Sequence, residues 1–447
     1  MKTKHNRIFS MAWLIAFAFA TLLASCSKDD DSVARDLLAS VPSNTSFVLL
    51  AEGQQLAEKA GDAKKALDLA KRNSSEKSAR IIDALSGVWT PTAVVVFADG
   101  SNFYLTTQVD DPKKLRQEVE KIYGSKMAET DGIAYNGGLA INADQVWVSL
   151  SESLSSNRIV DYTKLTETQS FASVDYCEKM LTEKGDLKFL GDITSIINSQ
   201  TAGGFNNSVV TGMLTSMLFK GAVYAAGTAD FRNGEVVSKI AILDSKFRIA
   251  EFLIPTGGID PETVKGVAES AESIFAIALP KKTVDRIKEL GSTLGGALPS
   301  DILSALSCVD GTVVMAQSGG NHDVKGIVTT DGTSSMGLTQ MLNSLHFQTS
   351  TSGNQVILTE GNGPVTGSIP TADAAAVFKG AIAAIALSSS TDSNTPFRTL
   401  YLTLRSHQKG ISIESRVLFP DKKSNALAQI VAALAKTPSK AAPAPRR

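Results

Sequence analysis

Residues 85–122 read "LSGVWTPTAVVVFADGSNFYLTTQVDDPKKLRQEVEKI", a strand, a turn, a second strand and a helix in one stretch. Val94 to Phe97 are β-branched or aromatic, the residue types that fit a half-buried pleated surface. "DGSN" supplies turn chemistry, and Phe103 to Val109 alternate as a returning strand. Asp111 followed by Pro112 predicts a helix start: the acid accepts from free N–H groups, and proline has none to leave unpaired. Leu115, Val119 and Ile122 then recur at helical spacing and form one apolar face. A hairpin makes antiparallel neighbours, and an amphipathic helix needs a sheet to cover. The unit therefore predicts an α+β fold.

The same unit recurs downstream. "LSCVDGTVVMAQSGGNHDVKGIVTTDGTSSMGLTQMLNSL" (306–345) holds the strand Val313 to Ala316, the turn "SGGNHD" and the strand Lys325 to Thr330. A helix carrying Leu338, Met341, Leu342 and Leu345 follows. Upstream of each copy lies an apolar run with an amphipathic segment behind it, "SFVLLAEGQQLAEKAG" (46–61) and "SIFAIALPKKTVDRIKELG" (273–291). A single offset carries Phe47 onto Phe275 and Leu56 onto Val284. In the first copy the helical stripe is expected to continue through Ala60, Ala63, Leu67 and Ala70. Each copy also closes on a long hairpin, one about Asn233-Gly234 and one about Lys409-Gly410.

These repeats predict two tandem related halves, residues 41–255 and 256–435, each an antiparallel sheet with helices packed on one face. The first half carries an expected insertion, 151–218, with helical stretches "GDLKFLGDITSIINSQ" and "NSVVTGMLTSMLF". Met213, Met217 and Leu218 in the latter are candidate partner-binding residues, because methionine adapts to irregular surfaces; a core helix is the competing reading. "SNALAQIVAALA" (424–435) reads as a last helix, and the Pro/Ala-rich 436–447 as a disordered tail.

The N-terminus gives an address. Basic "MKTKHNR", apolar "IFSMAWLIAFAFATLLAS" and then Cys26 have the order of an export signal, residues 1–25. "LLAS" before Cys26 resembles a bacterial lipobox, in which the thiol receives lipid; several acyl chains then hold the protein far more firmly than one. A retained membrane-spanning helix is the alternative. Residues 26–40 read as an acidic tether. Lys28, Asp29, Asp30 and Asp31 resemble the surface-export signal of Bacteroidota lipoproteins, and a merely solvated linker is the other reading. Asp31-Ser32-Val33 resembles a short O-glycosylation site of that phylum, which makes Ser32 a candidate for modification.

The leader together with "VPSNTSFVLLAEGQQLAEKAG" and its echo near residue 273 resembles a family of Bacteroidota lipoproteins of unknown function. The resemblance covers most of residues 33–435. It implies residence in the cell envelope and carries no catalytic residues to transfer.

Hydrophobic residues make up 43% and charged residues 20% of the 447, which excludes wholesale disorder. The formal net charge is −1, and removal of the basic leader leaves a mildly acidic body, so nucleic acid is excluded as a partner. Aromatics, at 6%, are sparse for a sugar-stacking surface. Cys177 and Cys308 match no metal spacing and read as buried thiols, with a mutual disulfide as the alternative. His322, His346 and His407 fall near turns, and none is spaced for a shared metal. His322 beside Asp323 is the one pair with any catalytic look. Ser74 and Lys77 form an isolated S-x-x-K without its companion motifs, and no nucleotide-binding glycine loop occurs.

No cofactor and no metal site is expected. The chain reads as a lipid-anchored protein of the outer membrane, facing the cell exterior, that acts as a non-catalytic binding or scaffolding module. Its expected partners are the membrane, through the anchor, and an unidentified protein, glycan or apolar ligand. An envelope hydrolase with unplaced catalytic carboxylates, or a carrier of lipid, is the alternative.

Overall fold

The computed structural model describes residues 30–61, 65, 68, 71–72, 76–88, 92–100, 102–150, 157–195, 218–293, 300–320, 323–389 and 396–436. The first elements are α1 (Asp30–Leu38), β1 (Phe47–Glu52), α2 (Gly53–Ala60), α3 (Glu76–Ser86), β2 (Ala93–Asp99), β3 (Asn102–Gln108) and α4 (Pro112–Tyr123). Four short strands follow, β4 (Ala128–Thr130), β5 (Ile133–Asn136), β6 (Leu139–Asn142) and β7 (Gln145–Ser149). Next come α5 (Asn157–Tyr162), α6 (Tyr176–Thr182), β8 (Leu187–Asp192), β9 (Phe219–Lys220), β10 (Ala222–Arg232), β11 (Glu235–Asp244) and β12 (Glu251–Phe252).

The remaining chain forms α7 (Pro261–Val267), β13 (Ser270–Ala271), β14 (Ser273–Leu279), α8 (Lys281–Thr293), α9 (Ser300–Leu306), β15 (Val309–Gln317) and β16 (Val324–Thr330). It ends with α10 (Met336–Ser344), β17 (Gln348–Ser352), β18 (Gln355–Glu360), β19 (Ile369–Pro370), α11 (Thr371–Phe378), β20 (Ala383–Ser388), β21 (Thr399–His407), β22 (Gly410–Leu418) and α12 (Ala426–Lys436).

The fold is α+β, built on one large antiparallel sheet. The hairpins read from the sequence are present: β2 pairs with β3, β10 with β11 across Asn233-Gly234, and β21 with β22. Gly234 turns at φ 70°, a conformation that a side chain resists. Asp111 caps α4 by accepting from the Lys114 amide at 2.9 Å, with Pro112 in the first turn.

From β7 inward the strand order is β7-β3-β2-β1-β8-β10-β11, and from β18 inward it is β18-β16-β15-β14-β20-β21-β22. The two sets meet where β11 pairs with β22. The sheet is thus one ladder running from β4 to β17, not two separate sheets, and among the described residues no pairing joins those ends. The exposed backbone of β11 and β22 satisfies its hydrogen bonds by this pairing, which is why the expected pair of sheets fuses.

Helices cover both faces, not one. Leu49 and Ala51 of β1 pack on the front with Leu56 of α2, Leu85 of α3, Leu115 of α4 and Leu427 of α12. Val48 and Leu50 point to the back, against Leu37 of α1, Ile159 of α5 and Met180 of α6. At the other end, Val264 of α7 and Phe378 of α11 cover the back, while Val284 of α8, Ala305 of α9 and Leu342 of α10 cover the front. β1 is buried through four consecutive residues, and a strand apolar on both sides requires two helical layers.

Two further expectations are corrected. The stretch 26–40 read as an acidic tether is not all linker: α1 begins at Asp30, and Val33, Ala34, Leu37 and Leu38 are buried in the back core. Those apolar positions recur at helical spacing and gain about 0.8 kcal/mol per buried methylene, which outweighs the solvation of the acids before them. The segment 151–218 is not wholly an insertion either. Its "LKFLGD" is the strand β8, not a helix, seated between β1 and β10. Leu187 and Phe189 face the front and Leu190 the back, a period of two. Gly61, at φ 72°, ends α2, and Ala63, Leu67 and Ala70 lie outside the described residues.

Candidate functional site

At the centre of the ladder, strands β8, β10, β11, β22 and β21, the two faces of the sheet differ in chemistry. On the back, strand positions carry charge. Lys188 lies opposite Thr228, Thr228 opposite Lys239, and Lys239 opposite Glu414. Asp230 faces Val237, Val237 faces Arg416, and Glu235 closes the hairpin against Arg232.

These side chains pair with opposite charges in three separate groups. Arg405 meets Glu414 at 3.2 Å, and Glu414 is 3.8 Å from Lys239. Arg416 meets Glu235, and Arg232 meets Asp230 at 2.7 Å. Lys59, reaching from α2 round the strand ends, donates to Asp230 at 3.0 Å and to both oxygens of Asp186 at 2.7 and 2.8 Å. Lys188 donates to Glu52 at 2.7 Å and to the Leu181 carbonyl at 3.1 Å.

Asp186 is fully buried, and its second oxygen also accepts from the Phe231 amide at 2.6 Å. Burial pushes its carboxyl above the usual aspartate range despite the Lys59 ammonium and the Phe231 N–H. Asp230 moves the other way. Burial alone would raise it, but donation from Arg232 and Lys59 outweighs that and holds it low. Burial likewise pulls Lys59 down, yet its two aspartate partners hold it above its ordinary value.

A cleft of about 680 Å³ opens on this cluster, lined by Glu52, Gln55, Glu183, Lys184, Gly185, Asp186, Lys188, Thr228, Asp230, Arg232, Val237 and Lys239. Among the described residues, no aromatic ring lines it. Three of its carboxylates are held by cations, Glu52 by Lys188, Asp186 by Lys59, and Asp230 by Lys59 and Arg232, while Glu183 accepts only from the Tyr176 hydroxyl at 3.4 Å among the described residues. Among the described residues, none groups three or more metal-type ligands.

On the front, the neighbouring strands β14, β20 and β21 present an apolar surface. Phe275 lies opposite Ile385, and Ile385 opposite Leu402. Leu387 lies opposite Leu400. Phe275, Leu387 and Leu402 are 40%, 41% and 38% exposed although they sit in the middle of a sheet.

The residues singled out from the sequence fall elsewhere. Cys26, Lys28 and Asp29 lie outside the described residues, as do Met213, Met217 and His322. Asp30 and Asp31 open α1, and Ser32 is exposed on it. Leu218 is 37% exposed, and its carbonyl accepts from the Leu253 amide. Asp323 is buried and accepts from the Asn362 and Gly363 amides at 3.1 Å each, so its carboxylate pins a loop. Cys177 and Cys308 are buried free thiols in separate cores. Burial raises both, Cys177 to about 11, which keeps its thiol protonated and unreactive.

None of the cleft residues was marked by a motif. The signal present in the sequence is charge inside strands: Lys188 within "LKFLG", Asp230 within "TADF" and Lys239 within "VSKIA".

No protein-family model matches the chain, and no curated protein matches it. Among solved structures it is similar to TP0453 in crystal form I, at 12% identity and a TM-score of 0.30, covering 76% of this chain and 96% of that one. Crystal form IV of TP0453 matches at 14% identity and a TM-score of 0.30, over 48% and 83% of the two chains. Among the described residues, no helix is long and apolar enough to cross a membrane.

Proposed function

We propose that this is a lipid-anchored envelope protein, tethered through Cys26 and displayed on the exterior of the outer membrane, whose body is a non-catalytic binding module. The repeated strand order is read as the product of an internal duplication that leaves a shared surface where the two sets meet. The cleft between β1, β8, β10 and β11 is the ligand site.

One observation carries the binding reading: the cleft is rich in charge, yet its central carboxylates are already held by protein cations. Asp186 and Asp230, pushed in opposite directions, have the outline of an acid–base pair. Asp186, however, has no exposed surface, and it accepts from Lys59 and the Phe231 amide inside the protein. A general acid must reach the substrate's atoms, so the hydrolase reading loses its best candidate.

The experiment is a photo-crosslinking residue in place of Gln55 at the cleft wall, in intact cells. Capture of a defined partner supports the module. Absence of any cleft-dependent product overturns it. Labelling with radioactive palmitate that persists in Cys26→Ser would overturn the anchor.

The front face supports a second reading, a carrier of an apolar ligand. Phe275, Leu387 and Leu402 form a contiguous exposed apolar surface, which soluble proteins rarely leave without a purpose. Native mass spectrometry that finds no co-purified lipid would remove it.

A further inference from the structure

We infer that the free edge of β17 pairs with the same strand of a second copy of this chain, antiparallel across a two-fold axis. The first observation is that the two ends of the ladder are built differently. β4, at one end, is three residues long and carries Glu129, held by Arg116 at 2.9 Å, with Lys126 and Asp131 close on either side. Shortness and charge are the usual guards of a sheet edge. β17, at the other end, is the five-residue "QTSTS", and no Lys, Arg, Asp, Glu or Pro occurs from Leu345 to Thr359. Its pairing with β18 runs from Gln348 to Ser352 without a bulge, and four of its five residues are exposed. Among the described residues, no backbone hydrogen bond reaches its outer side. An edge of this kind is open to another strand.

The second observation is the helix that leads into β17. Leu338 and Leu342 of α10 pack with Val356 and Leu358 of β18 on the front, and the Thr349 hydroxyl donates to Asn343 at 3.0 Å. Met336 and Leu345, at the two ends of this helix, are 65% and 56% exposed, more than any other large apolar side chain described. A strand paired across a two-fold meets its own image, so a charge at the axis would repel itself; β17 carries none. Only the register centred on Ser350 overlaps all five residues. It sets Gln348 against Ser352 and Thr349 against Thr351, and cross-strand threonine pairs are favourable. The axis stands normal to the sheet, so α10 of both copies lies on the front, on either side of the seam. Five paired residues cover less than the roughly 1,000 Å² of a stable complex, so the association is weak and reversible.

The test uses the full-length protein in detergent, followed by sedimentation equilibrium over about a hundredfold range of concentration. A thiol probe at the axis accompanies it. Ser350→Cys, in a Cys26→Ser background, faces its own image with Cα atoms about 4.5–5.5 Å apart, within disulfide reach. Cys177 and Cys308 are buried and do not compete. Ser352→Cys is the control: in this register its image lies about 13 Å further along the strand. The expected mass rises with concentration towards a dimer. Ser350→Lys, which sets two ammoniums opposite each other, weakens association about fivefold. Oxidation by copper phenanthroline in air joins Ser350→Cys and not Ser352→Cys, and unchanged urea midpoints show that the variants are folded. The inference is overturned if the wild type stays monomeric throughout, or if Ser350→Lys associates as tightly. It also falls if the two cysteine variants crosslink alike, if neither does, or if oxidation in intact cells joins Ser350→Cys to another protein and not to itself.

Discussion

The two faces of the central strands are made by the same backbone and differ in every other respect. On the back, alternate residues of β8, β10, β11 and β22 carry charges that pair in three separate groups, about Glu414, about Asp230 and Glu235, and at Lys188 with Glu52. On the front, the residues between them form an apolar row that runs from Leu49 through Phe189, Gly227, Ile240, Ile413 and Leu404 to Ala383 and Ile277. The back is locked by partners it already has, whereas Phe275, Leu387 and Leu402 on the front remain partly exposed. Removing one member of a locked network strands its partner; trimming an exposed apolar side chain leaves nothing stranded.

The largest effect should therefore come from the back. Asp186→Ala leaves Lys59 with Asp230 alone and orphans the Phe231 amide, and it should cost about 3–5 kcal/mol in urea unfolding. A cost below about 1 kcal/mol would show that the network is ornamental. Next is Gly227→Ala, on the front row. A Cβ there would lie 2.2 Å from the Lys239 carbonyl and 3.0 Å from the Phe189 ring, so strands must shift, at about 1–3 kcal/mol by the same measurement.

Leu402→Thr, in the exposed row beside it on the same face, keeps a β-forming residue and should cost less than about 1 kcal/mol. A larger loss would mean that the front face is more tightly packed than its exposure indicates. The acid response is smaller still. Asp230 has a depressed carboxyl, so its stabilising contribution is present above the ordinary aspartate value and is lost as pH falls through the depressed one. Asp186, raised by burial, works in the opposite sense, as its folded form holds a proton more readily. Asp230→Asn should therefore flatten the decline in urea midpoint below about pH 4, a change under about 1 kcal/mol, measured against wild type. Cys177 should show no effect at all at pH 8: its thiol, pushed up to about 11, should resist iodoacetamide until urea exposes it.

Much of the fold was legible because its signals are local. Asn233-Gly234 marks a hairpin, Asp111-Pro112 a helix start, and the echo of Phe47 in Phe275 places β1 and β14 at matching steps of the strand order. β8 was misread because Leu187 and Leu190 also fit a helical spacing, and only the neighbours β1 and β10 decide for a strand. The second helical layer was missed for a similar reason: a fully apolar strand reads alike whichever helices cover it.

The site was hidden more deeply. Glu52, Lys59, Asp186, Lys188 and Asp230 come from separate parts of the chain, and their meeting depends on register, which no short window records. A lysine or aspartate in the middle of an apolar strand was the available clue, since such a charge has to find a partner.

The last helix has a consequence for the order in which the molecule can be made. α12 lies at the far end of the chain, yet Leu427 and Val431 pack against Leu56 and Ala60, and Asn425 donates to the Phe231 carbonyl at 2.8 Å. A nascent chain thus exposes the oldest part of its interior until its newest part arrives. Until α12 has been made, the front of β1 and α2 lacks its lid, and a stop codon just ahead of Ala426 would leave that region uncovered.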